Sequence, residues 1–503
     1  MIDELLRGAV FVGTAAAICG GSLDGSAQSG GPHLSPHESM PHRNPYADTY
    51  AELSSFTDAA SWGPYNVHDP ALLSDGEYVY VYSTDVAFGR AMDRAGIQVR
   101  RSRDLVDWEF CGWALDGRPS QALAWIDAHG GGAFENVWAP FALRHEGQYR
   151  LYYSLSSRVA KNSVIGLLTG PSPLGPWREA GLVVTSLTTE PGTNAIDPSV
   201  VITPEGEQWL IYGSAWDGLY AMELSAETGL AAEESDHGVR IVQRGSTDGH
   251  VNGNLEAPEI FYHPGFDKYY LFYAYDWLFT KYNVRVARAD RPEGPYIDRA
   301  GRPVNDGQDR GAMILAPYRF EGHEGWQGVA HCGVVEHAGR YFLASQGRPV
   351  ERPHFMVMHC RQLHWTEDGW PVVSPQRYAG MSGGAITHDK LPGDWELIEF
   401  DYRVVPGFAR EQVDPDLNES QLIRLDRAGS VDAEAWQSWR MEGRSLVLRR
   451  SAGQAEVRLM LDTGWDWERQ RPTLLATGLN ELGYAVWAKK VDAAGPGPGS
   501  SDR

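Results

Sequence analysis

Five short motifs, spaced roughly 60 to 75 residues apart, begin with side chains that could perform or support acid–base chemistry. They are Asp69-Pro70-Ala71, Trp138-Ala139-Pro140, Asp197-Pro198-Ser199, Glu256-Ala257-Pro258 and His331-Cys332-Gly333. Three of the first residues are carboxylic acids, and carboxylates held close together cannot all stay ionised without cost, so their pKa values must separate. One carboxylic acid could then protonate a leaving oxygen while a carboxylate activates water and the third tunes the pair. That is the arrangement needed for glycoside hydrolysis.

The segments after the five motifs predict the elements that position these side chains. Each motif is followed by a polar turn, an aromatic strand and a further strand, with no helical period. The aromatic strands read EYVYVYST (77–84), QYRLYYSLS (148–156), EQWLIYGSA (207–215), KYYLFYAYD (268–276) and RYFLASQG (340–347). Repeats of this kind are typical of a β-propeller. We therefore expect five blades around one axis, with the five leading residues at equivalent positions facing one pocket.

Length and composition predict an all-β chain with several regions. A chain of 503 residues is too long for one ordinary core, and 18 Trp, 23 Tyr and 30 Pro suit an aromatic, turn-rich fold. We expect a leader and polar segment over 1–60, a five-bladed propeller over 61–387, a small antiparallel β-barrel or sandwich over 388–492, and a disordered tail over 493–503. Seven short strands are predicted in the third region, which we interpret as an accessory domain because it lacks a cluster of acids, His or Cys.

Charge and hydropathy restrict the partners and the location. A net charge of −22 argues against nucleic acid and anionic membrane surfaces. No run of 18 apolar residues exists, so no membrane span is predicted. Residues 5–21 (LLRGAVFVGTAAAICGG) resemble the apolar core of a signal peptide, although the preceding MIDELLR is acidic. We expect a secreted or periplasmic monomer.

Four motifs resemble those of the family 43 glycoside hydrolases: VHDP (67–70), NVWAP (136–140), NAIDPSV (194–200) and LEAPEI (255–260). The surrounding sequence is most similar to endo-α-1,5-L-arabinanases that carry a C-terminal β-barrel, and the resemblance covers nearly all of residues 65–492. It implies a five-bladed propeller that cleaves α-1,5-linked arabinan, a plant cell-wall polysaccharide, with inversion at the anomeric carbon.

The resemblance also implies roles for the three acids. Asp69 would be the general base that activates water, and Glu256 would be the general acid. Asp197 would be the third acid, raising the pKa of the proton donor and orienting it. Glu259, three residues after Glu256, is interpreted as structural, because alternation along a strand would put it on the opposite face.

Further residues are implied to contact the sugar or a cation. The predicted substrate contacts are Trp138, Asn194, Ala195, Ile196, Ser214, Ala215 and Trp216. His331 matches a histidine that faces a hydrated cation, usually calcium, on the propeller axis. The sequence departs from the family pattern at Cys332, Ala257 and Phe141. Cys332 weakens the prediction of a cation site, whereas Ala257 and Phe141 could alter the sugar subsites.

Three alternatives remain open at this level. The enzyme could be an exo-acting α-L-arabinofuranosidase or a β-xylosidase of the same family, since loop shape decides between a groove and a closed pocket. The fructan-cleaving propellers are disfavoured because the first acid motif is His68-Asp69-Pro70 rather than Asn-Asp-Pro. A non-catalytic sugar-binding propeller would not need all three acids.

Overall fold

A computed structural model describes residues 62–86, 96–247, 249–407, 412–453 and 455–491 of the chain. Nearly all regular structure in these ranges is antiparallel β-sheet. The predicted leader over 1–60 and the predicted disordered tail over 493–503 lie outside the described residues. Within the described ranges, no helix has the length and the apolar character needed to cross a membrane.

The first two repeats each form a separate four-stranded sheet whose strands pair in sequence order. The first sheet contains β1 (Ala71–Ser74), β2 (Val79–Ser83), β3 (Gln98–Ser102) and β4 (Glu109–Trp113). The second contains β5 (Trp138–His145), β6 (Gln148–Ser156), β7 (Ser163–Gly170) and β8 (Arg178–Ser186). Between them lies the helix α1 (Ser120–His129), which the aromatic strand pattern did not predict. The Glu179 carboxylate accepts the free N–H groups of Ser120 and Gln121 at its first turn, which stabilises this short helix.

The third and fourth repeats form two more separate four-stranded sheets. The third sheet contains β9 (Ser199–Ile202), β10 (Gln208–Tyr212), β11 (Leu219–Leu224) and β12 (Val239–Val242). A two-stranded ribbon follows, made of β13 (Ser246–Thr247) and β14 (His250–Val251). The fourth sheet contains β15 (Leu255–His263), β16 (Lys268–Tyr275), β17 (Asn283–Ala289) and β18 (Ala312–Leu315).

The fifth repeat differs from the other four. Its strands are preceded by the short strands β19 (Tyr318–Arg319) and β20 (Trp326–Gln327) and comprise β21 (Cys332–His337), β22 (Arg340–Pro349), β23 (Val357–Trp365) and β24 (Pro371–Val373). The end of β22 continues past this meander and pairs with β20, which pairs with β19. Together with a strand from the C-terminal region, these form one seven-stranded sheet. The prediction of a five-bladed propeller is therefore confirmed for four blades only. The fifth repeat is not a separate sheet, because the ten-residue β22 is long enough to join a second set of partners.

The first strands of the repeats lie next to one another. β1 contacts β5, β5 contacts β9, β9 contacts β15, β15 contacts β21, and β21 contacts β1. This closed cycle of neighbours surrounds a common centre, so residues at the start of each first strand can meet even though they are far apart in sequence.

The C-terminal region forms a closed eight-stranded barrel. It begins with β25 (Gly393–Glu399), after which β26 (Asn418–Glu419) joins the seven-stranded sheet through β19. The barrel continues with β27 (Gln421–Leu425), β28 (Ser430–Ala433), β29 (Trp436–Glu442), β30 (Ser445–Arg450), β31 (Glu456–Asp466), β32 (Arg471–Leu479) and β33 (Ala485–Val491). Its core includes the fully buried Trp395, Leu446 and Leu459. The predicted barrel is confirmed, but the count of seven strands is wrong. The reason is that Asp426 accepts the N–H of Ser430 across a tight turn that divides one predicted strand into β27 and β28.

Candidate active site

The same backbone feature marks the start of the first strand in all five repeats. Asp69, Ala139, Asp197, Ala257 and His331 have φ values of 52°, 37°, 60°, 58° and 59°. Non-glycine residues seldom adopt this left-handed conformation, and such strain is concentrated at functional sites. Because the conformation occurs at equivalent places in all five repeats, the backbone makes the same sharp bend each time it enters the centre of the ring.

This register corrects one expectation from the sequence. Trp138 and Glu256 do not occupy the position of Asp69, Asp197 and His331, because each lies one residue before the bend. The strand pairing is interrupted directly after both, between Trp138 and Phe141 and between Glu256 and Glu259. The bend residue in these two repeats is an alanine. Glu256 therefore approaches the centre from a different backbone position than the two aspartates.

Side chains of one repeat hold the backbone of the next at these bends. The Gln346 side chain accepts the N–H of Asp69 at 3.2 Å, and Ser154 Oγ accepts the N–H of Asp197 at 3.0 Å. Thr84 Oγ1 accepts the N–H of Ala139 at 2.7 Å. Asp197 Oδ2 accepts the N–H of Ala257 at 3.1 Å. Four of the five bends are thus fixed from a neighbouring repeat, and one of the fixing groups is itself a candidate catalytic acid.

Asp69 is surrounded by donors. His331 Nδ1 lies 2.9 Å from Oδ1, His68 Nδ1 lies 2.6 Å from Oδ2, and Thr84 donates its hydroxyl to Oδ2 at 2.6 Å. Burial alone would raise the pKa of Asp69, but the two imidazoles hold it well below its usual range. In return, and although burial opposes this change, Asp69 raises the pKa of His331 to about 9. The pair is therefore a carboxylate and an imidazolium at neutral pH.

Asp197 has the opposite tendency. Its side chain is buried, and this burial raises its pKa to about 8, with a further contribution from the negative charges of Glu256 and Asp69 that His331 partly offsets. The cluster of three carboxyl groups thus keeps a proton at neutral pH. Since Asp197 also bonds the N–H adjacent to Glu256, it is suited to orient that residue.

Glu256 lies in β15 and is held at both oxygens. Ser214 donates to Oε2 at 2.7 Å, and the Tyr282 hydroxyl donates to Oε1 at 2.8 Å. Burial raises the pKa of Tyr282 well above its usual range, so the phenol stays protonated and remains a donor. Glu256 is half-buried, whereas Asp69 and Asp197 are buried.

Glu259 lies away from this pocket and bonds to two other repeats. Its carboxylate accepts the Ser199 hydroxyl at 3.0 Å and the N–H of Val334 at 2.9 Å. Burial raises its pKa to about 7. These contacts tie the third, fourth and fifth repeats together, in keeping with the structural role expected for this residue.

The predicted sugar contacts differ in accessibility. Ser214 donates a hydrogen bond to Glu256. Trp216, two residues after Ser214, is 39% exposed, and Lys161 Nζ lies 5.8 Å from its ring centroid. Trp138 is half-buried and lies 4.9 Å from Phe134 between ring centroids. The other four residues are less open to a ligand or lie in the backbone framework. Ala195 and Ile196 are buried, Asn194 accepts a 3.5 Å bond from Ser186, and the N–H of Ala215 donates to Leu255 O.

The residues around His331 fit a cation only if it keeps most of its water. Among the residues that the structure describes, no group of three or more His, Cys, Asp or Glu side chains is arranged to hold a metal. His331 offers one imidazole, whose Nδ1 already contacts Asp69. Calcium prefers six to eight oxygen ligands, so solvent would have to supply nearly all of them beside this acidic pocket.

Sequence reasoning missed four residues that hold the acids. His68, Thr84, Tyr282 and Gln346 were not singled out, although His68 directly precedes Asp69. Thr84 and Gln346 end or nearly end the aromatic strands of their repeats, so the repeat pattern itself carried a signal for them. Tyr282 begins the next strand after such an aromatic strand, and its contact with Glu256 has no local signal.

Comparisons with known proteins identify the family to which the chain is related. The sequence profile of the glycosyl hydrolases family 43 matches residues 63–371, and that of a C-terminal lipocalin-like domain matches residues 375–488. The chain is 25% identical over 472 residues to an extracellular endo-α-(1→5)-L-arabinanase of Thermotoga petrophila, covering 85% of this chain and 94% of the relative. It is 29% identical over 321 residues to an extracellular exo-α-(1→5)-L-arabinofuranosidase, ArbA, of Cellvibrio japonicus, covering 61% and 86%.

A solved structure resembles the whole described fold. The crystal structure of the endo-1,5-α-L-arabinanase from Thermotoga petrophila matches with a TM-score of 0.71 at 25% identity, covering 86% of this chain and 99% of that chain. The similarity therefore spans both the repeats and the barrel.

Proposed function

Because the chain belongs to the glycosyl hydrolases of family 43, we propose that this glycosidase hydrolyses α-1,5-linked arabinofuranosyl bonds of plant arabinan with inversion. The observation that carries the proposal is the convergence of Asp69, Asp197 and Glu256 at the centre of the ring, each with a different environment. The names of the most similar relatives supply the substrate class.

The environment of Asp69 suits a general base. Two imidazoles hold its pKa well below its usual range, so it is ionised and can accept a proton from water at neutral pH. The Thr84 hydroxyl fixes one carboxylate oxygen and the N–H of Ala139 at once, which orients the base relative to the second repeat. An inverting reaction needs this base on the opposite side of the sugar from the acid, with room for the water between them.

Glu256 suits the general acid. Two hydroxyl donors fix the orientation of its carboxyl group. The side chain is therefore already in one rotamer when it delivers the proton to the leaving oxygen. Asp197 acts on it through the backbone, since it bonds the N–H of Ala257, the next residue.

A second candidate is exo-action on the same linkage. The observation that favours it is the higher identity, 29%, to the exo-acting Cellvibrio japonicus relative, although that match covers 61% of this chain. We favour endo-action because the endo-acting Thermotoga petrophila relative matches the barrel as well as the repeats.

We further propose that a hydrated calcium ion binds on the axis, with His331 as its protein ligand. Because a metal binds only the neutral imidazole, its binding would displace the proton that Asp69 favours on His331. Its positive charge would reduce the electrostatic cost of three neighbouring carboxyl groups.

We count β21–β24 as the fifth blade of the propeller, because β21 closes the cycle of first strands. Secretion is proposed on the basis of extracellular relatives, and a monomer because one chain supplies the whole candidate site.

The test is an assay of the purified protein on four substrates. Debranched arabinan should be cleaved to oligosaccharides of several lengths, and sugar-beet arabinan more slowly, while aryl arabinofuranoside and aryl xyloside should be poor substrates. Arabinose as the sole early product would favour exo-action. Hydrolysis of the xyloside alone would refute the arabinan proposal.

A further inference from the structure

The barrel domain sends one segment onto the propeller, close to the catalytic centre. The segment, here called the connector, comprises residues 400–407 and 412–420 and joins β25 to the rest of the barrel. Gly407 in the connector donates its N–H to Val251 O at 2.9 Å, and its own carbonyl accepts the N–H of Gly253 at 3.0 Å. The connector therefore pairs with the chain that leads directly into β15, which carries Glu256.

Gln412 is a connector residue that contacts the propeller through both ends of its side chain and through its backbone carbonyl. It is only 1% exposed, although it lies beside Val413, which is 76% exposed. Its Nε2 donates to Asp276 Oδ1 at 3.0 Å, and its Oε1 accepts from Asn254 Nδ2 at 3.3 Å. The Thr280 hydroxyl donates to its carbonyl oxygen. A buried amide with both ends bonded to another domain is a fixed contact, because breaking it would leave buried polar groups unpaired.

The three propeller partners of Gln412 lie near Glu256, the proposed general acid, and Tyr282, whose hydroxyl group donates to it. Asn254 lies two residues before Glu256, and Thr280 lies two residues before Tyr282, which donates to Glu256. Asp276 joins these two segments, since its N–H donates to Asn254 O at 2.8 Å and its Oδ2 accepts from the side chain of Asn283, next to Tyr282, at 2.9 Å. One residue of the barrel domain thus contacts both segments whose relative position sets the Tyr282–Glu256 bond, Asn254 through its side chain and Thr280 through its backbone carbonyl.

A buried ion pair supports the same junction. Asp276 is fully buried and pairs with Arg244 at 2.7 Å, and Arg244 also donates to Gly253 O at 2.7 Å. Tyr402 of the connector accepts a bond from Arg244. At the outer edge, Lys281 pairs with Asp416 of the connector at 2.7 Å. Contacts from the connector therefore surround the segments 252–254 and 280–281.

We propose that Gln412 is a positioning residue for the general acid, so that the barrel domain completes the active site of the propeller instead of serving as a separate accessory. The proposal rests on the proposed function of Glu256. It does not require Gln412 to touch the substrate, because it acts through Asn254 and Thr280 on the geometry of the Tyr282–Glu256 pair.

The test replaces Gln412 by Met, which keeps the side-chain length and removes both hydrogen-bonding atoms. A poorly positioned acid should slow the cleavage of bonds whose leaving group needs a proton. We expect kcat/KM on debranched arabinan to fall about 10-fold to 100-fold. On a 2,4-dinitrophenyl arabinotrioside, whose leaving group needs no proton, we expect a loss of less than about 3-fold. The matched control is Val413→Ala, which changes an exposed neighbour and should leave both rates unchanged.

A second variant keeps the test decisive if Gln412→Met does not fold. Thr280→Val removes the hydroxyl that bonds the Gln412 carbonyl and preserves the shape of the side chain, so it should give the same substrate-dependent loss to a smaller degree. Equal losses on the two substrates, or no loss, would overturn the proposal; if Gln412→Met does not fold, Thr280→Val alone decides. Wild-type protein without activity on arabinan would instead refute the proposed function, whatever the variants do.

Discussion

Tyr282 donates its hydroxyl to Oε1 of Glu256 at 2.8 Å, from a position 26 residues further along the chain. Ser214 holds the other oxygen from a different repeat. Because hydroxyl groups can both donate and accept, an amide in place of the carboxyl group would keep these contacts and the shape of the site. Glu256→Gln is therefore a clean test of proton donation.

Glu256→Gln should lose most activity on natural arabinan but less on aryl glycosides with good leaving groups, which need little protonation. The expected loss on arabinan is on the order of 10²-fold to 10⁴-fold. Asp69→Asn should lose activity on both kinds of substrate alike, because water must be activated whatever leaves. Initial rates on the two substrates measure the difference. Equal losses for Glu256→Gln would reverse the assignment of the proton donor.

Hydrolysis should invert the anomeric centre. In an inverting enzyme the acid and the base stand about 6.5–9.5 Å apart and water is the nucleophile. Asp69, the proposed base, contacts two imidazoles and accepts a hydroxyl, which suits an ion that accepts a proton more than one that forms a covalent bond to sugar. Proton NMR of the first-formed product reports the anomer before mutarotation. A retained anomer contradicts this mechanism.

Much of this arrangement could be predicted from the repeated pattern. The aromatic strands have a period of two and end in turn residues, so the strands and their order follow from local chemistry. The aspartates 69 and 197 were correctly brought to one centre by the repeat alone. The extra pairing of β22 with β20 was not predictable, because those two-residue partners have no periodicity of their own.

The residues that the sequence did not predict act over long separations. The one-residue offset of Glu256 is encoded in Pro258, because the residue before each proline of these motifs is the bend residue, and in this repeat that residue is Ala257. Gln412 contacts Asn254 across 158 residues, and no local pattern distinguishes it from an exposed loop residue. Such contacts depend on how two domains pack, which one sequence does not show.

Glu259 should make folding stability depend on pH. Burial raises its pKa to about 7 from an ordinary value of 4.5. Between these values the unfolded chain loses the proton while the folded chain keeps it, so stability is fully present below pH 4.5 and decreases as pH rises to 7. Between pH 4.5 and 7, the ionisation of Glu259 alone should lower the free energy of unfolding by about 3 kcal/mol.

The measurement compares urea unfolding of wild type and Glu259→Gln from pH 4.5 to 8. The variant carries no titrating group there, so it should gain stability relative to wild type across this range. Glu336→Gln changes an exposed glutamate of β21 and serves as the control, with a constant difference expected. Parallel curves for wild type and Glu259→Gln would contradict the prediction.

His331→Ala should lower both the rate of hydrolysis and the melting temperature while the three acids remain in place. The variant loses the 2.9 Å contact with Asp69, and with it one of the two imidazoles that hold the pKa of this carboxyl group low. If His331 also holds a cation, the variant loses the stabilisation that a ligand of the folded state provides by mass action. Prolonged chelation of the wild type isolates the second contribution. Chelation should reproduce part of the loss, and added calcium should restore the wild type but not the variant.

The matched control is His337→Ala, which changes a histidine at the far end of β21, the strand that follows His331. Its Nδ1 contacts Ser74 outside the pocket. It should leave the response to chelator and calcium unchanged. Elemental analysis of the purified protein, together with melting temperatures measured with and without chelator, separates the two roles of His331. If no metal is found and the chelator changes neither melting temperature nor rate, the cation proposal is wrong. The loss in His331→Ala would then come from the contact with Asp69 alone.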